Sequence, residues 1–133
     1  MSDDKREKSE RFRRGREALQ AIMGDGQIDR LDAAYGEIAP DMVEFLVSFA
    51  FGDLYARPTL KPRERQIATI AALTALGTAP AQLRSHIKAG LKAGLTREEI
   101  VEAIMQMAVY AGFPAALNGL AAAKDSFAEA DKG

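Results

Sequence analysis

Along most of the chain apolar positions recur every three or four residues, and nowhere do they alternate with polar ones as in a half-buried strand. Residues 1–23 are charge-dense. Phe12, Leu19, Ile22 and Met23 nevertheless fall on or near one face, which predicts a charged helix over about 4–23, stopped by Gly24 and Gly26. Residues 25–39 read as short connecting elements. Pro40 opens a second helix to about Tyr55, with Val43, Leu46, Val47, Ala50, Phe51 and Leu54 as its buried stripe. Arg57-Pro58 and Lys61-Pro62 force extended backbone before each proline, so 56–62 is a turn or loop.

Pro62 suits a first helical position. The helix it opens, about 63–76, is apolar on nearly every side through Ile67, Ala68, Ile70, Ala71, Leu73, Ala75 and Leu76. Such a helix belongs at the centre of a core or at a subunit interface. Gly77 ends it, Thr78 and Pro80 start another to about Ala93, and Gly94 stops that one. Thr96 to Glu99 spell a capping box before Ile100, Ile104, Met107 and Ala108. Gly112 ends this helix, and Pro114 opens the last, which carries Leu117, Leu120, Ala121 and Phe127. The pattern predicts an all-α bundle of about six helices in a single domain, 1–133.

Composition narrows the chemistry. The 133 residues include no cysteine, which excludes disulfides, thiolate metal sites, iron–sulfur clusters and thiol peroxidase chemistry. A single histidine, His86, excludes a multi-histidine metal site within one chain. The net charge of −1 argues against a basic nucleic-acid-binding field. The segment AGLTREEIVEAI has the look of part of a helix-turn-helix, but Glu98, Glu99 and Glu102 would repel phosphates. The basic cluster Arg11, Arg13, Arg14 and Arg16 reads as a solvated face balanced by Glu7, Glu10 and Glu17, with a contact site as the alternative. No stretch has the length of a membrane span, and no apolar leader follows the charged N-terminus, so the expected location is the cytoplasm.

His86 is the first candidate for chemistry, since imidazole titrates nearest neutral pH. Between Leu83 and Ile87 it borders an apolar face, and Gly90 one turn later leaves room for a pocket beside the ring. A structural histidine bonded to a carbonyl fits the same spacing. Glu64 and Arg65 open the core helix. A carboxylate is at home near a helix N-terminus, whereas an arginine there points to a carboxylate partner, a ligand or a surface ion pair. Arg84 lies two residues before His86 and so points to another side of its helix. Tyr110 falls off the apolar stripe of its helix, as a donor to a bound anion or as interface packing.

The stretches RERQIATIAALTALG and QLRSHIKAGLKAGLTREEIVEAIMQMAVYAGFPAALNGL resemble the carboxymuconolactone decarboxylase family, as do FGDLYARPTL and the R-F-x-x-G at Phe12 and Gly15. The resemblance spans about residues 11–130. It implies an alkylhydroperoxidase D-like helical bundle that assembles as a homo-oligomer, commonly a hexamer built as a trimer of dimers. One branch of the family carries C-x-x-C shortly before a histidine; the corresponding positions here are about Ala79 and Gln82. The other branch is the cysteine-independent decarboxylase of protocatechuate breakdown, which turns γ-carboxymuconolactone into β-ketoadipate enol-lactone and CO2. The chain resembles that branch at Arg65, His86 and Tyr110, and departs from it at Phe51-Gly52, where Trp-Gly is expected.

That reaction needs no cofactor and no metal, because the unsaturated lactone is its own electron sink. The protein must hold two carboxylates, stabilise an enolate oxygen and protonate carbon. The resemblance implies His86 as general acid and enolate stabiliser. It implies Arg65 and Arg84 as carboxylate binders, with Arg57 a further candidate, Tyr110 as a hydrogen-bond donor, and Glu64 as a residue orienting His86. Two alternatives stand beside it: a non-catalytic oligomeric binding or scaffold protein of the same fold, and an enzyme that isomerises or hydrolyses a related lactone.

Overall fold

The computed structural model describes residues 9–133. Residues 4–8 of the expected N-terminal helix lie outside the described residues. The described chain is all helical, with seven α-helices, one π-helix and no strand among the described residues. It divides into two compact units, up to Leu60 and from Lys61 onward.

In the first unit, Ser9 caps α1 (Glu10–Met23) by accepting a hydrogen bond from the Phe12 N–H at 3.3 Å. Residues 25–39, read as connecting elements, contain a nine-residue helix, α2 (Gln27–Tyr35), which buries no side chain fully. Pro40 opens α3 (Pro40–Phe45) as expected, but the helix widens into a π-helix, π1 (Leu46–Tyr55), in which the Ala56 N–H donates to the Phe51 carbonyl at 3.0 Å. The widening changes the buried face. Val43, Val47 and Phe51 are buried as expected, but Ser48 and Gly52 join them while Leu46 and Leu54 are 37% and 45% exposed. Four- and five-residue steps have replaced the three- and four-residue steps of an α-helix. Phe12, Leu19, Val43, Val47 and Phe51 form the core of this unit. Gly15 and Gly52 let α1 and π1 approach closely, and Arg11 and Arg14 clamp the contact through Asp53 and the Gly52 carbonyl.

The second unit packs four helices: α4 (Pro62–Leu76), α5 (Pro80–Lys92), α6 (Arg97–Ala111) and α7 (Phe113–Lys132). Their ends follow the chain's punctuation. Pro62 and Pro80 sit in first turns, and Gly77 closes α4 in the left-handed region, φ +70°, where a side chain would be strained. Both hydrogen bonds of the Thr96–Glu99 capping box are present. The core is Ile70, Leu83, Ile87, Leu95, Ile100 and Ile104, closed by Ala122 and Ala123 of α7. Although α4 is mostly apolar after its charged start, its fully buried stripe is Gln66, Ile70 and Thr74, and Leu76 is 64% exposed. Two of these three buried residues are polar, and one of them leads to the site.

Candidate active site

Residues 66, 70 and 74 are four apart, so they line one face of α4. Thr74 turns its hydroxyl back to donate to the Ile70 carbonyl at 2.8 Å, which satisfies it locally. Gln66 has no such local outlet. It is 1% exposed, and its Oε1 meets the Nδ1 of His86 on α5 at 3.0 Å. Its Nε2 finds no acceptor among the described residues. His86 is half-buried at the border of the apolar face that presents Leu83, Ile87 and Gly90 to the core. Burial pushes the imidazole below its usual 6.5. The shift favours the neutral form of the ring.

The space expected beside the ring at Gly90 is filled. A Cβ there would come within 3.1 Å of the Ile70 and Leu95 side chains, so this glycine serves core packing instead of opening a pocket. A cavity of about 20 Å³, bordered by Thr74, Gly77, Leu83, Asn118 and Gly119, has room for roughly one water.

The remaining candidates sit on α4, on α5, at the end of α6 and in the loop after π1. Glu64, expected to orient His86, is exposed in the first turn of α4. Two residues of helix turn it roughly 200° away from Gln66, and Gln66 is the ring's partner. Arg65 is half-buried, and its carbonyl accepts from the Thr69 hydroxyl at 2.8 Å. Arg84 is half-buried on α5, and its carbonyl accepts from Ser126 of α7 at 3.4 Å. Its charge, after Lys88 and Lys132, also helps hold the Glu129 carboxyl below the usual range. Tyr110 is 77% exposed at the end of α6. Arg57 is exposed in the loop after π1, within the first unit. Among the described residues no group of three or more His, Asp or Glu side chains is placed to hold a metal ion, and no helix is long and apolar enough to cross a membrane.

The residue that sequence reasoning missed is Gln66. It directly follows the charged Arg63, Glu64 and Arg65 and reads as part of the solvated start of the helix; its only signal was its place one turn before Ile70 on the buried face.

A family model described as the carboxymuconolactone decarboxylase family matches residues 40–125. The chain is 31% identical over 118 residues to a 4-carboxymuconolactone decarboxylase of Acinetobacter baylyi, covering 89% of this chain and 87% of that protein. It is 34% identical over 100 residues to an uncharacterized 15.0 kDa protein from the nqo9–nqo10 intergenic region of Paracoccus denitrificans, covering 74% and 75%.

Proposed function

The chain belongs to the carboxymuconolactone decarboxylase family, and on that premise we propose that it is a cofactor-free carboxy-lyase acting on a carboxylated lactone, with γ-carboxymuconolactone as the substrate. The observation that carries this reading is His86: the chain's one histidine, half-buried, bonded to a buried amide and shifted toward the neutral form. In the reaction the bond from the γ-carbon to its carboxylate breaks and CO2 leaves. The electron pair delocalises through the double bond onto the lactone carbonyl oxygen, and a proton then reaches carbon. An imidazolium whose pKa is lowered gives up its proton more readily, as a general acid toward a carbanion must. A bound dianion supplies the field that loads the ring with that proton. Arg65 and Arg84 serve as carboxylate binders, Arg57 is a further candidate, and Tyr110 is a hydrogen-bond donor.

A homo-oligomer, with a trimer of dimers as the expected form, belongs to the same proposal. Val109, Tyr110, Phe113 and Leu117 are between 61% and 77% exposed where α6 passes into α7. Large apolar side chains so placed support a subunit contact. Tyr110 would then reach a site on a neighbouring copy.

The test is to supply enzymatically made γ-carboxymuconolactone and follow enol-lactone formation and CO2 release, with His86→Ala alongside. Turnover that is lost in the variant supports the assignment; near-full turnover in a folded variant overturns it. As an acid His86 must carry its proton, so turnover falls as pH rises through the ring's pKa. A histidine acting as base in isomerisation or hydrolysis gives the opposite limb. No turnover from a well-folded oligomer would favour a binding role. A stable wild-type monomer in light scattering would remove the subunit contact.

A further inference from the structure

The amide of Gln66 is buried, makes one hydrogen bond of 3.0 Å, and leaves its Nε2 without an acceptor among the described residues. A buried polar group satisfied on one side only costs stability that leucine or methionine at the same place would not. Core packing therefore does not explain a glutamine here, since the helix already buries Ile70 one turn later. What the amide does contact is the ring of the only histidine, from twenty residues earlier in the chain and from a different helix.

We propose that Gln66 is the positioning residue of His86: its Oε1 accepts the ring's Nδ1–H, so that Nε2 alone takes up and gives back the proton. A carboxamide oxygen can only accept, and a neutral imidazole carries one hydrogen. The bond at Nδ1 therefore places the lone pair on Nε2 and fixes the orientation of the ring. Neutral glutamine does this without adding charge. A carboxylate in its place would hold the ring protonated, and the imidazolium would then give up its proton less readily. The burial-lowered pKa agrees with an uncharged partner. The inference rests on the assignment of His86 above, but the state of the ring can be read without any turnover.

The experiment is a long-range 1H–15N correlation of the imidazole in untagged, 15N-labelled protein at a pH where the ring is neutral. With one histidine in the chain, every ring signal belongs to His86. The expected result is a protonated Nδ1 and an unprotonated Nε2. A ring protonated on Nε2 means that the amide lies the other way round and donates to Nδ1, which overturns the proposal. Gln66→Met keeps the shape and removes the acceptor. It should collapse the tautomer bias, lower kcat about fivefold or more with KM nearly unchanged, and leave the melting temperature equal or higher. A merely structural amide would instead lose stability and leave the tautomer as it was. Gln66→Glu should retain Nδ1–H and raise the ring's pKa. Nδ1–H in a protein that shows no turnover would sink the decarboxylase and leave Gln66 as assigned; Nε2–H with normal turnover would do the reverse.

Discussion

Replacing Gly15 by alanine should unseat α1 from π1. A Cβ built on Gly15 would lie 1.9 Å from the carbonyl oxygen of Val47, and real Cβ contacts stay beyond 3.0 Å. The obstacle is backbone, which cannot swing aside as a side chain can. The two helices must therefore separate by about 1 Å, and a gap of that size forfeits roughly a quarter to a half of each dispersion contact across it. Phe12, Leu19, Val47 and Phe51 all depend on that contact. Overpacking of a well-filled core costs about 1–3 kcal/mol, and a backbone obstacle puts this case near 3 kcal/mol. For a chain of this size that corresponds to a fall in Tm of roughly 10 °C. Thermal melts followed by circular dichroism measure it. Two companions set the scale. Gly52→Ala meets the Arg11 carbonyl at 2.5 Å and should cost less than Gly15→Ala. Gly26→Ala meets nothing within 4 Å and pays only for its φ of +79°, about 1 kcal/mol. A Gly15→Ala protein melting within about 2 °C of wild type, or no more affected than Gly26→Ala, would refute the close-approach argument.

The other predictions concern single groups. Because burial lowers the folded pKa of His86, the unfolded chain takes up its proton first as pH falls. The stabilising contribution is thus full above about 6.5 and is lost as pH drops through the folded pKa. The Tm of wild type minus that of His86→Leu should decline below that pH, and a flat difference would contradict the shift. Thr96→Val removes the capping-box acceptor for the Glu99 N–H and should lower stability by about 1 kcal/mol in urea titrations. Asp53 is drawn below the carboxylate range by its hydrogen bond with Arg11 and by Arg14, but the cluster is open to solvent. Asp53→Asn should therefore cost a little at low salt and almost nothing at high salt, and a salt-independent loss would show that the clamp acts by geometry.

Where chain chemistry is local, the fold was legible in the sequence. Pro62, Pro80, Gly77, Gly112 and the Thr96–Glu99 pair act within a few residues of themselves, and the second unit begins and ends its helices at them. Helix α2 was not legible because it buries nothing fully and starts at Gly26, which offers no side-chain cap. The exposed Leu76 shows how far an apolar helix can depart from an all-round buried one. In the site, the position of His86 at the edge of the apolar face was readable from Leu83 and Ile87. Its partner was not. Periodicity says which face of α4 turns inward, and nothing within α4 says that residue 66 will meet a ring twenty residues later. The same limit misplaced Gly90, whose missing side chain makes way for Ile70 and Leu95.

The ten residues of π1 occupy fewer turns than they would in an α-helix, since each hydrogen bond closes over five residues instead of four. The segment therefore holds surplus chain. Removing one residue between 46 and 55 can return a turn to α geometry and leave both ends nearly in place, whereas a deletion within α1 would carry Gly15 off Val47. Length variation among relatives should accordingly gather in π1 as single-residue gaps, and a one-residue deletion there should be tolerated where the same deletion in α1 is not.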